Sequence, residues 1–191
     1  MSKIAKPTTV VVILSKDTFE NGKKINKPSD FAGKVKTGRK LHTIRGNFEY
    51  WDKKIAKMKE SGGVLSVRQW SAAPYRSPQE VIIEVTADKV GVQKLELTQR
   101  GQYINHTTES GESIDSLVMY EYYAQVDGLP VSLFELAKND GLTENEFVAW
   151  FAPVFTAARA KYKDLAEISS SLTIDFAVIH FTPARYAINR E

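Results

Sequence analysis

Two β-branched, apolar runs lie near opposite ends of the chain, Thr8–Leu14 and Leu172–Phe181, and both predict buried strands. Between them, short strand-like and helical segments follow one another without regular alternation. A doubly wound parallel sheet requires strands and helices to alternate. We therefore predict an α+β fold built on a mixed, mainly antiparallel β-barrel that is decorated by helices.

Residues that favour helix N-termini indicate where the helices begin. Asn47 can cap a helix that starts at Phe48, and Thr143 followed by Glu146 is a capping box. The predicted helices are Phe31–Lys36, Phe48–Glu60, Pro130–Lys138, Thr143–Phe151 and Phe155–Ile168. The further predicted strands are Leu41–Arg45, Val64–Trp70 and Gln79–Thr86, the last two forming a pair.

Two stretches are less regular. Residues 15–30 are polar and carry turn signals, so they predict a loop. The second stretch predicts a small hairpin (Val92–Leu97 and Gln102–His106), a loop at 107–116, and either a strand or a helix at Leu117–Val126.

The 191 residues suffice for one domain with a single core. The absence of cysteine excludes disulfides, thiolate metal sites and cysteine nucleophiles. No apolar run approaches the roughly 20 residues that span a bilayer. No small-residue cleavage site follows the first apolar run, so we expect a cytoplasmic protein without a membrane partner.

Positive charge is concentrated in the first third of the chain. Residues 1–59 hold 15 Lys or Arg against 5 Asp or Glu, whereas residues 60–191 hold 11 against 18. Such a surface suits a polyanion, because Lys and Arg contacts to phosphates release counterions. The alternative is a solvated helix face, which accounts for much of the run from Lys53 to Lys59.

The basic region surrounds the segment from Gly38 to Arg45. If Leu41–Arg45 is a strand, Thr43 and Arg45 project from one face, with Lys40 at its start. A hydroxyl between two cations can bind an anion or a polar base, although spacing alone favours an ordinary strand with a cationic edge. The candidate ligand-binding residues here are Arg39, Lys40, His42, Thr43 and Arg45.

Two further groups are candidates. Arg68, Trp70 and Tyr75 can stack on and hydrogen-bond a base; the alternative is a core Trp beside a hairpin Tyr. Asp140, in an Asp-Gly pair before the capping box, is either part of a pre-helix turn or a carboxylate that reaches Lys40.

Other chemical patterns are absent. The three histidines lack metal-ligand spacing, and no Gly-rich phosphate loop or Gly-x-Ser-x-Gly elbow occurs, so we expect no metal and no cofactor. His180 lies in a predicted buried strand and is interpreted as a histidine with its hydrogen bonds satisfied, either in the core or behind the residues that contact a ligand. The aromatic stretch from Met119 to Tyr123 is either a protein interface or core, and we favour core.

The motif Gly-Arg-Lys-x-x-Thr-Ile-Arg at Gly38–Arg45 resembles the signature of ASCH domains, which are similar in fold to PUA domains. The resemblance runs from Thr8 to Tyr186, and its Arg-Gln-Trp and Pro-Tyr-Arg-Ser variants resemble ASCH-like proteins of gut Bacteroides and their phages. Softer agreement comes from Leu65–Trp70 with Pro74-Tyr75, from Asp140–Leu142 with Phe147 and Trp150-Phe151, and from Ile179–Thr182.

The resemblance implies a small barrel with a cleft that binds RNA or a modified nucleoside. It also implies an alternative, because one branch of the family is an amidohydrolase that removes acyl groups from acetylated cytidine. The motif then makes Lys40 the base and Thr43 the nucleophile, and Asp140 matches the acidic residue, which is Glu in that branch. Since the chain is almost twice the size of a minimal ASCH domain, insertions are expected at about 88–127 and 152–170.

Overall fold

A computed structural model of the chain describes residues 7–20, 22–161 and 171–186. The protein is α+β, as predicted, with strands that pair mostly antiparallel. The described strands are β1 (Thr9–Leu14), β2 (Asp17–Glu20), β3 (Lys23–Pro28), β4 (His42–Gly46), β5 (Val64–Trp70), β6 (Gln79–Thr86), β7 (Gly91–Thr107), β8 (Ser113–Val126), β9 (Leu129–Val131) and β10 (Ser171–His180). The described helices are α1 (Phe31–Lys36), α2 (Phe48–Glu60), α3 (Leu133–Asn139) and α4 (Glu144–Lys161).

The strands lie in three sheets. The first has the order β1-β5-β6, the second β4-β10-β7-β8-β9, and the third is the hairpin β2-β3. Only the β1–β5 pairing is parallel among the described strands. Within the same residues the strands do not close into a barrel. No described helix is long and apolar enough to cross a bilayer.

The two terminal apolar runs form strands of the two larger sheets. β10 lies between β4 and β7, whereas β1 is the edge strand of its sheet and pairs with β5. Residues 176–181, which are the last five residues of β10 and the one after it, are all buried, as expected for a strand covered on both faces. These two strands therefore anchor a single apolar core shared by both larger sheets.

Two of the helix predictions are confirmed without change. α1 and α2 have the predicted bounds, and the Asn47 side chain accepts a hydrogen bond from the Tyr50 N–H at 3.1 Å. The predicted helix from Pro130 instead begins at Leu133, because β9 takes the preceding residues.

The predicted break between two helices after Phe151 is wrong. α4 continues through Pro153 to Lys161, and the predicted remainder up to Ile168 lies outside the described residues. Phe147, Phe151 and Phe155 stand four positions apart and are all buried, so one apolar stripe spans the proline. This packing offsets the backbone hydrogen bond that Pro153 cannot make.

The predicted loops at both irregular stretches are also corrected. Residues 15–30 contain the β2–β3 hairpin, whose Phe19 packs on Trp150 with ring centroids 5.4 Å apart. Instead of turning at Arg100-Gly101, β7 runs on to Thr107, and the chain reverses near Gly111 (φ +85°) before strand β8. The position of such a turn depends on pairing with a neighbouring strand, and local sequence does not contain that information.

The stretch predicted as an insertion contributes to the core sheet. Residues 91–100 pair with β10 along its whole length, and Leu95 and Leu97 are fully buried. The preference for core packing at Met119–Tyr123 is wrong for most of that stretch. Met119, Tyr120 and Tyr123 are 57%, 38% and 49% exposed, whereas Tyr122 packs on Phe155.

Candidate functional site

Lys40 and Asp140 meet inside the protein, although 100 positions separate them in the chain. The Lys40 side chain is 1% exposed. Its Nζ donates to Asp140 Oδ1 at 2.8 Å and to the Asp140 carbonyl oxygen at 2.5 Å. The backbone reinforces the approach, because the Leu41 N–H donates to the Asn139 carbonyl at 2.8 Å. The structure thus brings together two of the residues singled out from the sequence.

Gly141 allows this approach. It has a φ of +79°, and a Cβ at this position would lie 3.2 Å from the Lys40 Cβ. Its carbonyl accepts a hydrogen bond from Lys34 Nζ at 2.8 Å. The Asp-Gly pair is therefore a pre-helix turn and also places the carboxylate against Lys40, so the two interpretations of Asp140 are compatible.

Thr43 and Arg45 project together from β4, as a period of two requires. Arg45 Nη1 donates to Thr43 Oγ1 at 3.0 Å, and Nη2 donates to the Ile13 carbonyl of β1 at 2.5 Å. Thr43 is 3% exposed. Within the described residues no hydrogen bond joins Lys40 Nζ to Thr43 Oγ1.

Burial dominates the electrostatics of Lys40. It lowers the pKa of the ammonium to about 8, against the opposing attraction of Asp140, and the charges of Arg45 and Lys34 add to the lowering. The pKa of Asp140 is also below its usual value. Burial alone would raise it, but the Lys40 ammonium and the nearby His42 ring outweigh that effect.

His42 projects from the face of β4 opposite to Thr43. Its Nε2 lies 2.7 Å from the Tyr186 hydroxyl, and its Nδ1 lies 3.5 Å from Asp140 Oδ1. His180 faces it across the β4–β10 pairing, with ring centroids 5.5 Å apart. His180 is 2% exposed, yet neither ring nitrogen has a hydrogen-bond partner among the described residues. It is thus a buried residue, as predicted, but no described residue satisfies its hydrogen bonds.

Two cavities share Leu41 and Asn139 as lining residues. The first, which we call the basic cavity, has a volume of about 510 Å³ and is lined by three cationic side chains, Lys34, Arg39 and Lys138. The second, which we call the histidine cavity, has a volume of about 240 Å³. Its lining includes His42, His180, Tyr186 and Arg185.

The second predicted group is separate from this cluster. Arg68 donates to Ser66 Oγ at 2.8 Å and to Gln79 Oε1 at 3.4 Å, within the β5–β6 sheet. Trp70 and Tyr75 pack together with ring centroids 5.2 Å apart, and Tyr75 is 90% exposed. None of the three has a hydrogen bond or ring contact with Lys40, Thr43 or Asp140 in the described structure.

Sequence reasoning missed Tyr186 and the role of His180. Neither residue belongs to a recognisable sequence motif. Strand register decides which side chains surround His180, and the path of the chain after β10 decides which surround Tyr186. A histidine facing a histidine across two paired strands is visible only once the pairing is known.

No group of three or more His, Asp or Glu side chains in the described parts of the chain is arranged to hold a metal ion. Comparison of the chain with protein-family models, curated proteins and solved structures finds no match.

Proposed function

We propose that this protein is an ASCH-type, PUA-like domain that binds nucleic acid or a modified nucleoside through the basic cavity. The observation that carries the proposal is the position of that cavity beside Gly38–Leu41, with Lys34, Arg39 and Lys138 lining it. Glu146, the carboxylate that also lines it, is already engaged by Lys27 and by the Thr143 N–H. The cavity thus presents a surplus of positive charge to a phosphate group.

One exposed and one partly buried aromatic side chain supply a second element. Tyr75 and Trp70 line an open cavity together with Lys16 at the ends of β1 and β5. An exposed ring beside a cation suits stacking of an unpaired base. Under this proposal the two larger sheets, which share one core but do not close, correspond to an open form of the barrel of the PUA-like fold.

The test is the binding of labelled single-stranded RNA and DNA at several salt concentrations, measured by fluorescence anisotropy. We expect affinity to fall with salt, by a slope of about 0.7 per phosphate contact. The triple variant Lys34→Gln, Arg39→Gln and Lys138→Gln is expected to lose most of the binding and to flatten the slope.

The matched control carries the same charge change on helix α2, at the exposed side chains of Lys53, Lys57 and Lys59. Lys53→Gln, Lys57→Gln and Lys59→Gln together should weaken binding only slightly. Absence of binding at low salt, or equal losses in both triple variants, would contradict the proposal.

The low pKa of Lys40 favours a second candidate function, the amidohydrolase. A general base works best with a pKa near the working pH, and the pKa of Lys40 is about 8. Neutral Lys40 would take the proton of the Thr43 hydroxyl while Oγ1 attacks an acyl carbon. The proton would then pass to the departing amine, and water would hydrolyse the acyl-threonine ester. This requires Thr43 to exchange its hydrogen bond with Arg45 for one with Lys40.

The test is hydrolysis of acetylated cytidine by the wild type and by two variants of Thr43. Thr43→Ser keeps a hydroxyl and should retain part of the turnover, whereas the isosteric Thr43→Val should abolish it. Turnover that survives in Thr43→Val, or no turnover of any acylated nucleoside by the wild type, rules out this mechanism.

A further inference from the structure

One edge of strand β8 is open over part of its length in the described structure. β9 pairs with this edge only from Ala124 to Val126. Among the described strands, the rest of β8 pairs with β7 alone. β9 ends at Val131, opposite Ala124, because the chain turns there toward helix α3. The sheet therefore has an open edge directly beyond the end of β9.

The alternation of hydrogen bonds along β8 identifies the backbone groups at this open edge. Successive residues of an antiparallel strand direct their N–H and C=O groups to opposite sides. The Asp127 N–H donates to the Lys94 carbonyl of β7 at 2.8 Å, so the odd-numbered residues of this stretch face β7. The even-numbered residues face the edge where Ala124 pairs with β9, and the next two of them are Tyr122 and Tyr120. Within the described residues, the N–H and C=O groups of these two tyrosines have no hydrogen-bond partner on that side.

A groove with a volume of about 640 Å³ lies along this edge, between β8 and helix α4; we call it the β8 groove. On the strand side it is lined by five consecutive residues, Met119–Tyr123. Because successive side chains of a strand alternate between its two faces, this lining places the groove at the strand edge. On the helix side, it is lined by one stripe with helical spacing that includes Val148, Ala149 and Ala152. The small side chains of the two alanines leave space for one more extended segment beside β8.

The charge around the β8 groove is negative. Residues 101–137, which include β8, hold six Asp or Glu and no Lys or Arg. Glu121 and Glu144 line the groove itself. Hydrogen bonds from Tyr123 and Gln102 lower the pKa of Glu121, so its carboxylate is ionised at pH 7. The groove is therefore complementary to a basic occupant.

A second copy of this chain is a poorer occupant than a single extended peptide. Two copies that pair edge to edge about a two-fold axis place the same surface against itself. Each copy then brings its own α4 and Glu144 to the contact, and like charges that face each other are destabilising. Arg159 does not offset them, because it packs on the Tyr120 ring and donates to Gln99. A single extended segment meets neither obstacle.

We propose that the β8 groove binds an extended basic peptide segment of another protein, which adds to the sheet as a strand antiparallel to β8. The peptide backbone pairs with Tyr120 and Tyr122. Its apolar side chains face α4, on the side where Tyr122 packs on Phe155, and the basic side chains between them lie beside Glu121. The β8 groove shares no lining residue with the basic cavity, so this proposal is independent of nucleic-acid binding.

The probe for the test is a fluorescein-labelled peptide of about seven residues in which Val and Lys alternate. Fluorescence anisotropy should show saturable binding. In protein labelled with ¹⁵N-tyrosine, the amide signals of Tyr120 and Tyr122 should move downfield, because their N–H groups gain acceptors. Saturation that leaves both amide signals unmoved would overturn the proposal.

Methylation of the peptide backbone tests strand pairing directly. In the proposed register the valine N–H groups face β8 and the lysine N–H groups point away from it. N-methylation of the valines should therefore weaken binding at least about tenfold, because several hydrogen bonds are lost. N-methylation of the lysines should change binding little. Equal effects of the two methylation patterns would show that the peptide adsorbs by charge alone and would rule out an added strand.

Variants of helix α4 locate the binding. Ala149→Trp fills the β8 groove and should abolish peptide binding. Ala157→Trp is the matched control, because Ala157 is exposed on the same helix but does not line the groove, and it should leave binding unchanged. Peptide binding that persists in a folded Ala149→Trp protein would place the peptide elsewhere and contradict the proposal.

The charge of the groove is tested by a separate pair of variants, which keeps the proposal testable if Ala149→Trp does not fold. Glu121→Gln with Glu144→Gln should weaken peptide binding, whereas Glu49→Gln with Glu60→Gln removes the same charge from exposed positions of α2 and should have a smaller effect. Equal losses in the two double variants would contradict the proposal. A dimer in sedimentation experiments that either groove variant dissociates would assign the groove to a second copy and equally contradict it.

Discussion

At the scale of single residues, the buried ion pair of Lys40 and Asp140 is the most costly feature of the site to bury. Removing two charges from water is costly, and such a pair holds only when the geometry and further hydrogen bonds compensate. Here the carboxylate accepts from Lys40 and lies near His42, while the Lys40 ammonium also donates to a backbone carbonyl. The pair therefore contributes little net stability, but losing one member leaves the other charge buried without a partner.

We predict that Asp140→Asn lowers the free energy of unfolding by about 3–5 kcal/mol at pH 7. The folded-state pKa of Lys40 is already about 8, below its unfolded value, so charged Lys40 opposes folding and stability from this group rises as pH increases from 8 toward 10.5. The cost of Asp140→Asn should accordingly shrink by about pH 9.5, where Lys40 is neutral in the folded state. Urea denaturation at both pH values measures it.

The control is an exposed carboxylate of the same segment. Asp30 lies 3.8 Å from Arg39, and both side chains are well exposed. Asp30→Asn should change stability by no more than about 0.5 kcal/mol. Similar losses of unfolding free energy in Asp30→Asn and Asp140→Asn would show that the buried pair has no special effect on stability.

At the scale of elements, the start of helix α4 holds the turn that positions Asp140. The Thr143 N–H donates to Glu146 Oε2 at 2.9 Å, and the Glu146 N–H donates to Thr143 Oγ1 at 3.3 Å. Burial would raise the pKa of Glu146, but Lys27 and Thr143 lower it to about 2. The capping box predicted from the sequence is confirmed, and its distance of only three residues from Asp140 links helix initiation to the site.

We predict that Thr143→Ala costs about 0.5–2 kcal/mol, because it removes the acceptor for the Glu146 N–H. In a chain of this size a loss of 1 kcal/mol lowers Tm by about 2–4 °C, which thermal denaturation resolves. Thr156→Ala is the matched control, since Thr156 is exposed in the same helix and its hydroxyl bonds only the Ala152 carbonyl among the described residues. A Tm for Thr143→Ala equal to that of Thr156→Ala would show that the capping box does not stabilise the protein.

At the scale of the whole molecule, distant parts of the chain meet at the site. β4 pairs with β10, α1 supplies Lys34, and the α3–α4 turn supplies Asp140 and Gly141. Arg45 in addition reaches the Ile13 carbonyl and so ties this sheet to the one that holds Trp70. Both larger sheets contribute to a single core. The site therefore depends on the complete tertiary fold.

Local sequence determined the features that depend on neighbouring residues. The buried strands, the bounds of α1 and α2, the capping box, and the common face of Thr43 and Arg45 follow from periodicity and terminal signals. Contacts with other segments overrode such signals in two places. At Pro153 a phenylalanine stripe maintains the helix, and at Arg100-Gly101 pairing with β8 continues strand β7.

The sequence alone also placed Gly38–Arg45 at the centre of a basic region. It could not show that Lys40 is buried against Asp140, or that Arg68 and Trp70 lie outside this cluster. Nor could it show that His42 faces His180, whose ring nitrogens have no hydrogen-bond partner among the described residues. The physical reason is the same in each case. Strand register and the packing of segments up to 100 residues apart decide which side chains lose contact with water, and burial in turn decides their charge and their partners.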